Sequence, residues 1–246
     1  MRILLAIDDT DDLESIGTGA LLENLCEELN KKDLGVCNFV TRHQLLIHDD
    51  IAYTSHNSAM CCELQMEKDD LEAIICLCQK YLVENRAEGS DPGLCVVCFK
   101  KIDDYTELIS FGQAAKERVL KKADAYDLAS KYPETVFLSE HGGTGDGVIG
   151  ALAGCGLRLS GMDGKIKRKI RPENPEVVMT IGEFREKYGM AYALDEEFNE
   201  ISDDDFIKCG KSIKAFLWND KHAVVLTPDG EEQGRWRSIS KKKDAS

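Results

Sequence analysis

Leu4-Leu-Ala-Ile-Asp-Asp-Thr-Asp-Asp12 sets an apolar run directly against four carboxylates in five residues. Arg2 to Ile7 reads as a short buried strand ended by acids. Beyond the acids stands Gly17-Thr-Gly19. From Ala20 to Leu29 the apolar residues Leu21, Leu22, Leu25, Cys26 and Leu29 recur at helical spacing. The acidic stretch is therefore a loop joining a strand to a helix, with glycines at the turn, and the fold class is α/β. Crowded carboxylates raise one another's pKa unless a cation compensates them. A hard cation such as Mg2+ needs only one or two protein carboxylates beside phosphate oxygens. Asp8, Asp9 and Asp11 are the candidate ligands. The competing reading is a solvated turn that caps the next helix, where Asp and Thr are common. A phosphatase loop of the form DxDxT or DxDxV is excluded, because Asp9-Thr-Asp11-Asp-Leu13 ends in leucine.

Further elements follow by the same reasoning. Strands are expected at Val36 to Val40, Gln44 to Ile47, Ala59 to Met66 and Leu94 to Phe99. Helices are expected from Lys68 to Val83 and over most of Tyr105 to Ala129. The strand Thr135 to Leu138 enters a second unusual loop, His141-Gly-Gly-Thr-Gly-Asp-Gly147, and a small-residue helix, Val148 to Gly154, leaves it. Glycines let backbone N–H groups approach an anion, and a helix N-terminus adds its dipole. Gly142, Gly143, Thr144, Gly145, Asp146 and Gly147 are thus candidate phosphate-binding residues. No Gly-Lys-Ser/Thr follows, so this is no Walker loop. Gly145-Asp-Gly147-Val-Ile-Gly150 has the GxGxxG spacing, but no matching acidic residue supports a dinucleotide fold. The bland alternative is a flexible connection into a tightly packed helix. Together, carboxylates for a cation and amides for phosphates are what a magnesium–nucleotide site needs.

A third polar cluster, Thr41-Arg-His-Gln44 with Tyr53-Thr-Ser-His-Asn-Ser58, brings Arg42, His43, His48, His56 and Asn57 near two short strands. It could orient a phosphate or substrate, or be a self-satisfied turn. Past about residue 163 come the basic run Lys165-Ile-Lys-Arg-Lys-Ile-Arg171, read as a hairpin with one basic face or as a solvated edge strand protected by charge, and a helix near Ile181 to Tyr188. A helix start at Ser202-Asp-Asp-Asp205 and a hairpin, Ala223 to Thr227 and Arg235 to Ile239, complete a small β-rich extension. The division expected is 1–162 and 163–246.

Composition bounds the function. The 246 residues carry a net charge of -14, which disfavours binding of duplex nucleic acid through the overall field. The basic run is the local exception. No apolar run reaches the roughly 18 residues of a membrane span, and the N-terminus lacks a signal peptide's apolar stretch. The ten cysteines sit mostly in apolar runs and read as small core residues of a reducing compartment. Cys95-Val-Val-Cys98 has zinc half-site spacing but reads as buried strand. A cytoplasmic location is expected, with no membrane partner.

Ile7-Asp-Asp-Thr-Asp11, the turn Gly17-Thr-Gly19, Ile51-Ala-Tyr-Thr with Asn57 and Ala59, and Gly145-Asp-Gly-Val-Ile-Gly-Ala-Leu-Ala153 form an ordered set. This set resembles the tRNA-isoleucine agmatinylcytidine (agmatidine) synthetases over roughly residues 1 to 160. The resemblance implies a mixed-sheet, kinase-like domain that uses ATP and Mg2+. It implies that Asp8, Asp9 and Asp11 serve metal and phosphates and that Gly143, Gly145 and Gly147 cradle phosphates. Thr18 falls where that family has a threonine that can itself be phosphorylated. Gly17, Gly19 and Asn57 join the candidate nucleotide-binding residues, and Asp8, Asp9, Thr18 and His56 the candidate catalytic ones. The chain is expected to lack the family's OB-fold and zinc ribbon, and to be a stand-alone relative of the kinase-like domain. Expected partners are a nucleotide and a small-molecule or RNA acceptor, with a homodimer as the candidate assembly. A nucleotide sensor without turnover, or an RNA-modification component working with a partner, are the alternatives.

Overall fold

The computed structural model describes residues 1–51, 57–66, 68, 70–99, 104–230 and 232–239. Among them are twelve strands and six helices, a mixed α/β architecture. The chain divides into two compact units, Met1–Ser160 and Gly161–Ser246.

The first unit is built on β1 (Arg2–Asp8), β2 (Val36–Gln44), β3 (Ser58–Gln65), β4 (Gly93–Cys98) and β5 (Val136–Glu140). Their order is β5-β4-β1-β3-β2, and every neighbouring pair is antiparallel. Central β1 is apolar at every position from Ile3 to Ile7 because both faces of the sheet are covered. Ile3, Leu5 and Ile7 enter one core with Leu21, Leu22 and Leu25 of α1 (Thr18–Lys31) and Ile74 and Cys78 of α2 (Leu71–Asn85). Leu4 and Ala6 enter the other core, beneath α3 (Thr106–Glu117), α4 (Lys122–Ser130) and α5 (Gly147–Leu159). Each fully buried leucine or isoleucine contributes roughly 1.5–3 kcal/mol. Helix α5 is buried nearly all round, which is why its sequence carries no polar stripe.

Several sequence expectations need correction here. Gln44 to Ile47 is not a separate strand. β2 runs unbroken to Gln44, and a bulge between Cys37 and Val40 absorbs the irregular alternation that suggested two pieces. The long helix expected from Tyr105 to Ala129 is two. Arg118 is extended (φ -145°, ψ 158°), and the Asp124 carboxylate accepts from the Lys121 N–H at 2.9 Å to start α4 afresh. Cys95 enters one core and Cys98 the other, since positions three apart on a strand face opposite ways. The CxxC pair therefore cannot share a cation.

The second unit contains β6 (Lys165–Ile166), β7 (Val178–Thr180), α6 (Ile181–Tyr188), β8 (Tyr192–Leu194), β9 (Phe206–Lys208), β10 (Ala215–Trp218), β11 (Lys221–Pro228) and β12 (Arg235–Ser238). Strands follow the order β6-β10-β11-β12-β9-β7, with β8 also on β11. The parallel pairs are β8 with β11 and β9 with β12. Helix α6 has a complete capping box. Thr180 Oγ1 accepts from Glu183 N at 3.2 Å, and Glu183 Oε2 accepts from Thr180 N at 2.8 Å. The β11–β12 hairpin forms as its sequence suggests. Two expectations fail. Only Lys165 and Ile166 of the basic run are strand, and the rest is irregular, with a single bridge from Ile170 to Ile213. Ser202 to Asp205 starts no helix. It is a turn in which Ser202 O accepts from Asp205 N, delivering Phe206 to its parallel pairing with β12.

Candidate functional site

Strand register assembles the site. Asp8, the last residue of β1, is opposite Gly93, the first of β4, and Gly93 is opposite Glu140, the last of β5. One row thus joins the exit of β1, the entry of β4 and the exit of β5. The acidic loop, the turn Asp91-Pro92 and the glycine loop all leave from this row. Asp9 takes a left-handed conformation (φ 51°), a strain that Asp tolerates better than most residues. Its carbonyl accepts from Asp91 N at 3.0 Å, and the Thr10 carbonyl accepts from Ala87 N at 3.0 Å. The acidic turn is therefore tied to the loop before β4.

Pleating turns Asp8 toward α5, the side opposite Ile7. Its carboxylate lies against Gly150, where any β-carbon would overlap it. Desolvation in its half-buried position pushes the Asp8 carboxyl up to about 8, helped by the neighbouring Asp9. Asp9 is pushed up to about 6, by burial first and then by Asp91, Asp11 and Asp146. Asp11 instead accepts a hydrogen bond from Thr18 Oγ1 at 3.1 Å, and Thr10 Oγ1 donates to Thr18 Oγ1 at 3.0 Å. Thr18 opens α1, with Gly17 (φ 82°) as its N-cap, and both Thr18 and Gly19 are buried on that helix. Among the described residues, Asp8, Asp9 and Asp11 have no ion pair to a lysine or arginine.

The glycine loop holds an anion of the protein's own. The Asp91 carboxylate accepts from Gly145 N at 2.6 Å, from Thr144 N and Asp146 N at 3.1 Å each, and from Thr144 Oγ1. Three amides that the sequence suggested were open to phosphate are thus engaged. The N–H groups of Gly142 and Gly143 carry no hydrogen bond among the described residues. Gly147 begins α5 in backbone contact with Gly93 and Asp91, an approach no side chain would permit. Two cations border the loop. Arg86 lies beside Gly142 and donates to Ser90 O at 3.2 Å. Lys122 donates to Thr144 O at 2.6 Å and to Glu140 at 3.1 Å. Burial, and then the Arg86 charge, lower the pKa of His141. Sequence reasoning passed over Asp91, Arg86 and Lys122. The Asp91-Pro92-Gly93 turn just before a buried strand was the available signal.

The third cluster is organised separately. Asn57 Nδ2 donates to Leu46 O at 2.6 Å, and the Asn57 carbonyl accepts from Leu45 N, closing the β2–β3 connection. His43 is buried, 2.7 Å from Thr41 Oγ1. Arg42 donates to Ser58 Oγ at 3.0 Å. His56, with Tyr53, Thr54 and Ser55, lies outside the described residues. Among the described residues no hydrogen bond joins Asn57 to the acidic or glycine loop.

The donor set suits a hard cation. Asp8 and Asp9 offer carboxylate oxygens that burial and mutual repulsion disfavour as anions, and a divalent cation would reverse that. The oxygens of Asp8, Asp9 and Asp11 do not all lie within 4.8 Å of one another. An ion held here would thus use one or two of them, with oxygens from water or phosphate completing its shell.

No family model and no curated protein matches the chain. Solved structures do. A complex of TiaS with an isoleucine tRNA and ATP superposes with a TM-score of 0.56 at 26% identity, over 65% of this chain and 37% of that one. A tRNA fluorescent labelling enzyme gives 0.56 at 24% identity, over 78% and 45%. Apo TiaS, the agmatidine synthetase of that tRNA, gives 0.55 at 23% identity, over 78% and 44%. The present chain therefore spans less than half the length of each. No described helix is long and apolar enough to cross a membrane. In fold, the chain resembles part of tRNA agmatidine synthetase, as the ordered motifs of its first 160 residues led us to expect.

Proposed function

We propose that this chain is an ATP- and Mg2+-dependent phosphotransferase-like protein related to tRNA agmatidine synthetase. Residues 1–162 are the nucleotide-binding domain and 163–246 an extension. The observation that carries this reading is the pairing of the half-buried Asp8 and Asp9, which have no cationic partner among the described residues, with the Gly142–Gly147 loop across one row of the sheet. One or two of Asp8, Asp9 and Asp11 would hold Mg2+, which would neutralise phosphate charge. The Gly142 and Gly143 amides and the N-terminus of α5 would orient phosphate oxygens. Asp91 keeps the loop in shape, and Arg86 and Lys122 add positive charge at its rim. The Thr18 hydroxyl donates to Asp11, so Asp11 is placed to take its proton. The acceptor is a small molecule or an RNA. The TiaS complex with tRNA and ATP supports the RNA option by analogy.

Calorimetry of ATP binding, with and without Mg2+, on wild type and Asp9→Asn tests the proposal. Mg2+ should tighten ATP binding to wild type and have little effect in the variant. Equal affinity in all four combinations would sink it. A nucleotide sensor without turnover is the second reading, favoured by the Asp91 carboxylate seated in the glycine loop. Incubation with γ-labelled ATP separates the two. Labelled protein or released ADP marks the phosphotransferase, and bound but unchanged ATP the sensor.

A further inference from the structure

On the sheet face opposite Asp8, three thiols converge from elements distant in sequence. Cys26 comes from α1, Cys37 from β2 and Cys62 from β3. Cys26 Sγ is 3.5 Å from Cys62 Sγ, and Cys37 Sγ is 3.7 Å from it. All three sulfurs lie within 4.8 Å of one another, and among the described residues they are the one group of potential ligands that does so. Four sulfurs around a cation at Zn–S bonds of about 2.3 Å would be about 3.8 Å apart. The two short separations are within a few tenths of an ångström of that edge.

The position of Cys37 is a consequence of the β2 bulge. A regular pleat would put Cys37 on the face opposite Val40, with Phe39, whose ring lies 5.4 Å from the Arg158 guanidinium on the α5 side. The extra residue between Cys37 and Val40 reverses the alternation. Cys37 and Val40 therefore both pack in the α1/α2 core, where Cys62 lies between Met60 and Leu64. Cys62 is buried and Cys37 is half-buried, so the cluster is reachable from solvent on the Cys37 side. Sulfur donors favour soft, d10 cations over the hard ions that suit Asp8 and Asp9.

We propose that Cys26, Cys37 and Cys62 form a binding site for a soft cation, Zn2+ or Cu+, distinct from the acidic loop. Three thiolates fill three positions, and the fourth is left for water or an exogenous ligand, or is absent in a trigonal Cu+ complex. Binding releases the thiol protons to solvent.

The test uses the full chain, reduced and kept anaerobic. It is equilibrated with Zn2+ against a chelating indicator and, separately, with Cu+ against a Cu+-selective chelator. Retained metal is counted by mass spectrometry, and alkylation of Cys26 and Cys37 is followed by peptide mapping. We expect one cation per chain and alkylation of both thiols slowed at least about tenfold. Cys37→Ser and Cys26→Ser should each weaken binding by roughly 100-fold or more, since even an outer-shell partner accounts for 10–100-fold. Cys76→Ser, which removes an exposed thiol of α2, should leave it unchanged. Retention of Zn2+ alone or Cu+ alone identifies the cation. Wild type that holds neither ion against the chelator, or whose alkylation rates ignore both ions, overturns the proposal whether or not the variants fold. So does binding that survives both Cys37→Ser and Cys26→Ser.

Discussion

The Asp8 carboxylate occupies the space that a side chain on Gly150 would need. A strand-end acid and a helix thus share one volume, and the helix can lie there only because residue 150 has no β-carbon. Gly150→Ala should therefore destabilise the protein by about 2–3 kcal/mol, although alanine is the better helix former. The double variant Gly150→Ala/Asp8→Ala should recover most of that loss, because the overlap with the carboxylate is removed and only a tight approach of the two β-carbons, 3.0 Å, remains. A double-mutant cycle by urea denaturation reads the coupling directly. Additivity of the two single effects would show that they do not compete for space.

The pH dependence follows from the same burial. Asp8 is raised from its ordinary 3.8 to about 8, and Asp9 from 3.8 to about 6. Between the unfolded and folded values the native state binds more protons than the unfolded chain. The contribution of these two groups should be fully present below about pH 4 and be lost as pH rises toward about 8, with an upper bound of about 6 kcal/mol from Asp8. Asp8→Asn should flatten this slope, and millimolar Mg2+ should flatten it in wild type. Thermal melts across the range would check both effects. A slope unchanged by Asp8→Asn refutes the assignment.

Asp91 organises the glycine loop through four hydrogen bonds. Asp91→Ala leaves those donors without their acceptor and should cost about 1–3 kcal/mol. Hydrogen exchange should quicken at Thr144, Gly145 and Asp146 while β4 stays protected. If the loop seats phosphate, ATP binding weakens in step with this loosening. Tighter ATP binding in Asp91→Ala would instead mark Asp91 as a rival for the phosphate position.

Thr18 links Thr10 to Asp11 in a buried chain of hydroxyls. Thr18→Val preserves shape but removes both bonds, and should destabilise by about 1–2 kcal/mol. Thr18→Ser retains the hydroxyl and should restore most of it. Under γ-labelled ATP, loss of protein labelling in Thr18→Val and its return in Thr18→Ser would identify this hydroxyl as an acceptor.

Much of the first unit was legible because its signals are local. Ile3, Leu5 and Ile7 alternate with Leu4 and Ala6 between two cores, so an unbroken apolar run reads as a doubly covered strand. In the second unit, the helix expected near Ile181 to Tyr188 forms, started by the capping bonds between Thr180 and Glu183. What stayed hidden depends on contacts between distant segments. Nothing near Gly142–Gly147 says that Asp91 will fill its amides. Nothing near Cys37 says that a bulge will turn it toward Cys26 and Cys62. The turn at Ser202–Asp205 misled for a related reason, since Ser and Asp cap helices and close turns with the same hydrogen bonds. Only the pairing of Phe206 with Arg235 decides between them.

The row Asp8–Gly93–Glu140 also has a kinetic consequence. Its three strands are far apart in the chain, so their loops close at an entropic cost before the row exists. Repulsion of Asp9 by Asp91 is felt only when that closure is nearly complete. A cation that relieves it then acts after the folding barrier. Mg2+ should slow the unfolding arm of a chevron plot and leave the refolding arm almost untouched. If the acidic loop takes Mg2+ as proposed, scarcity of the ion would leave the folding rate unchanged and shorten the lifetime of the folded chain.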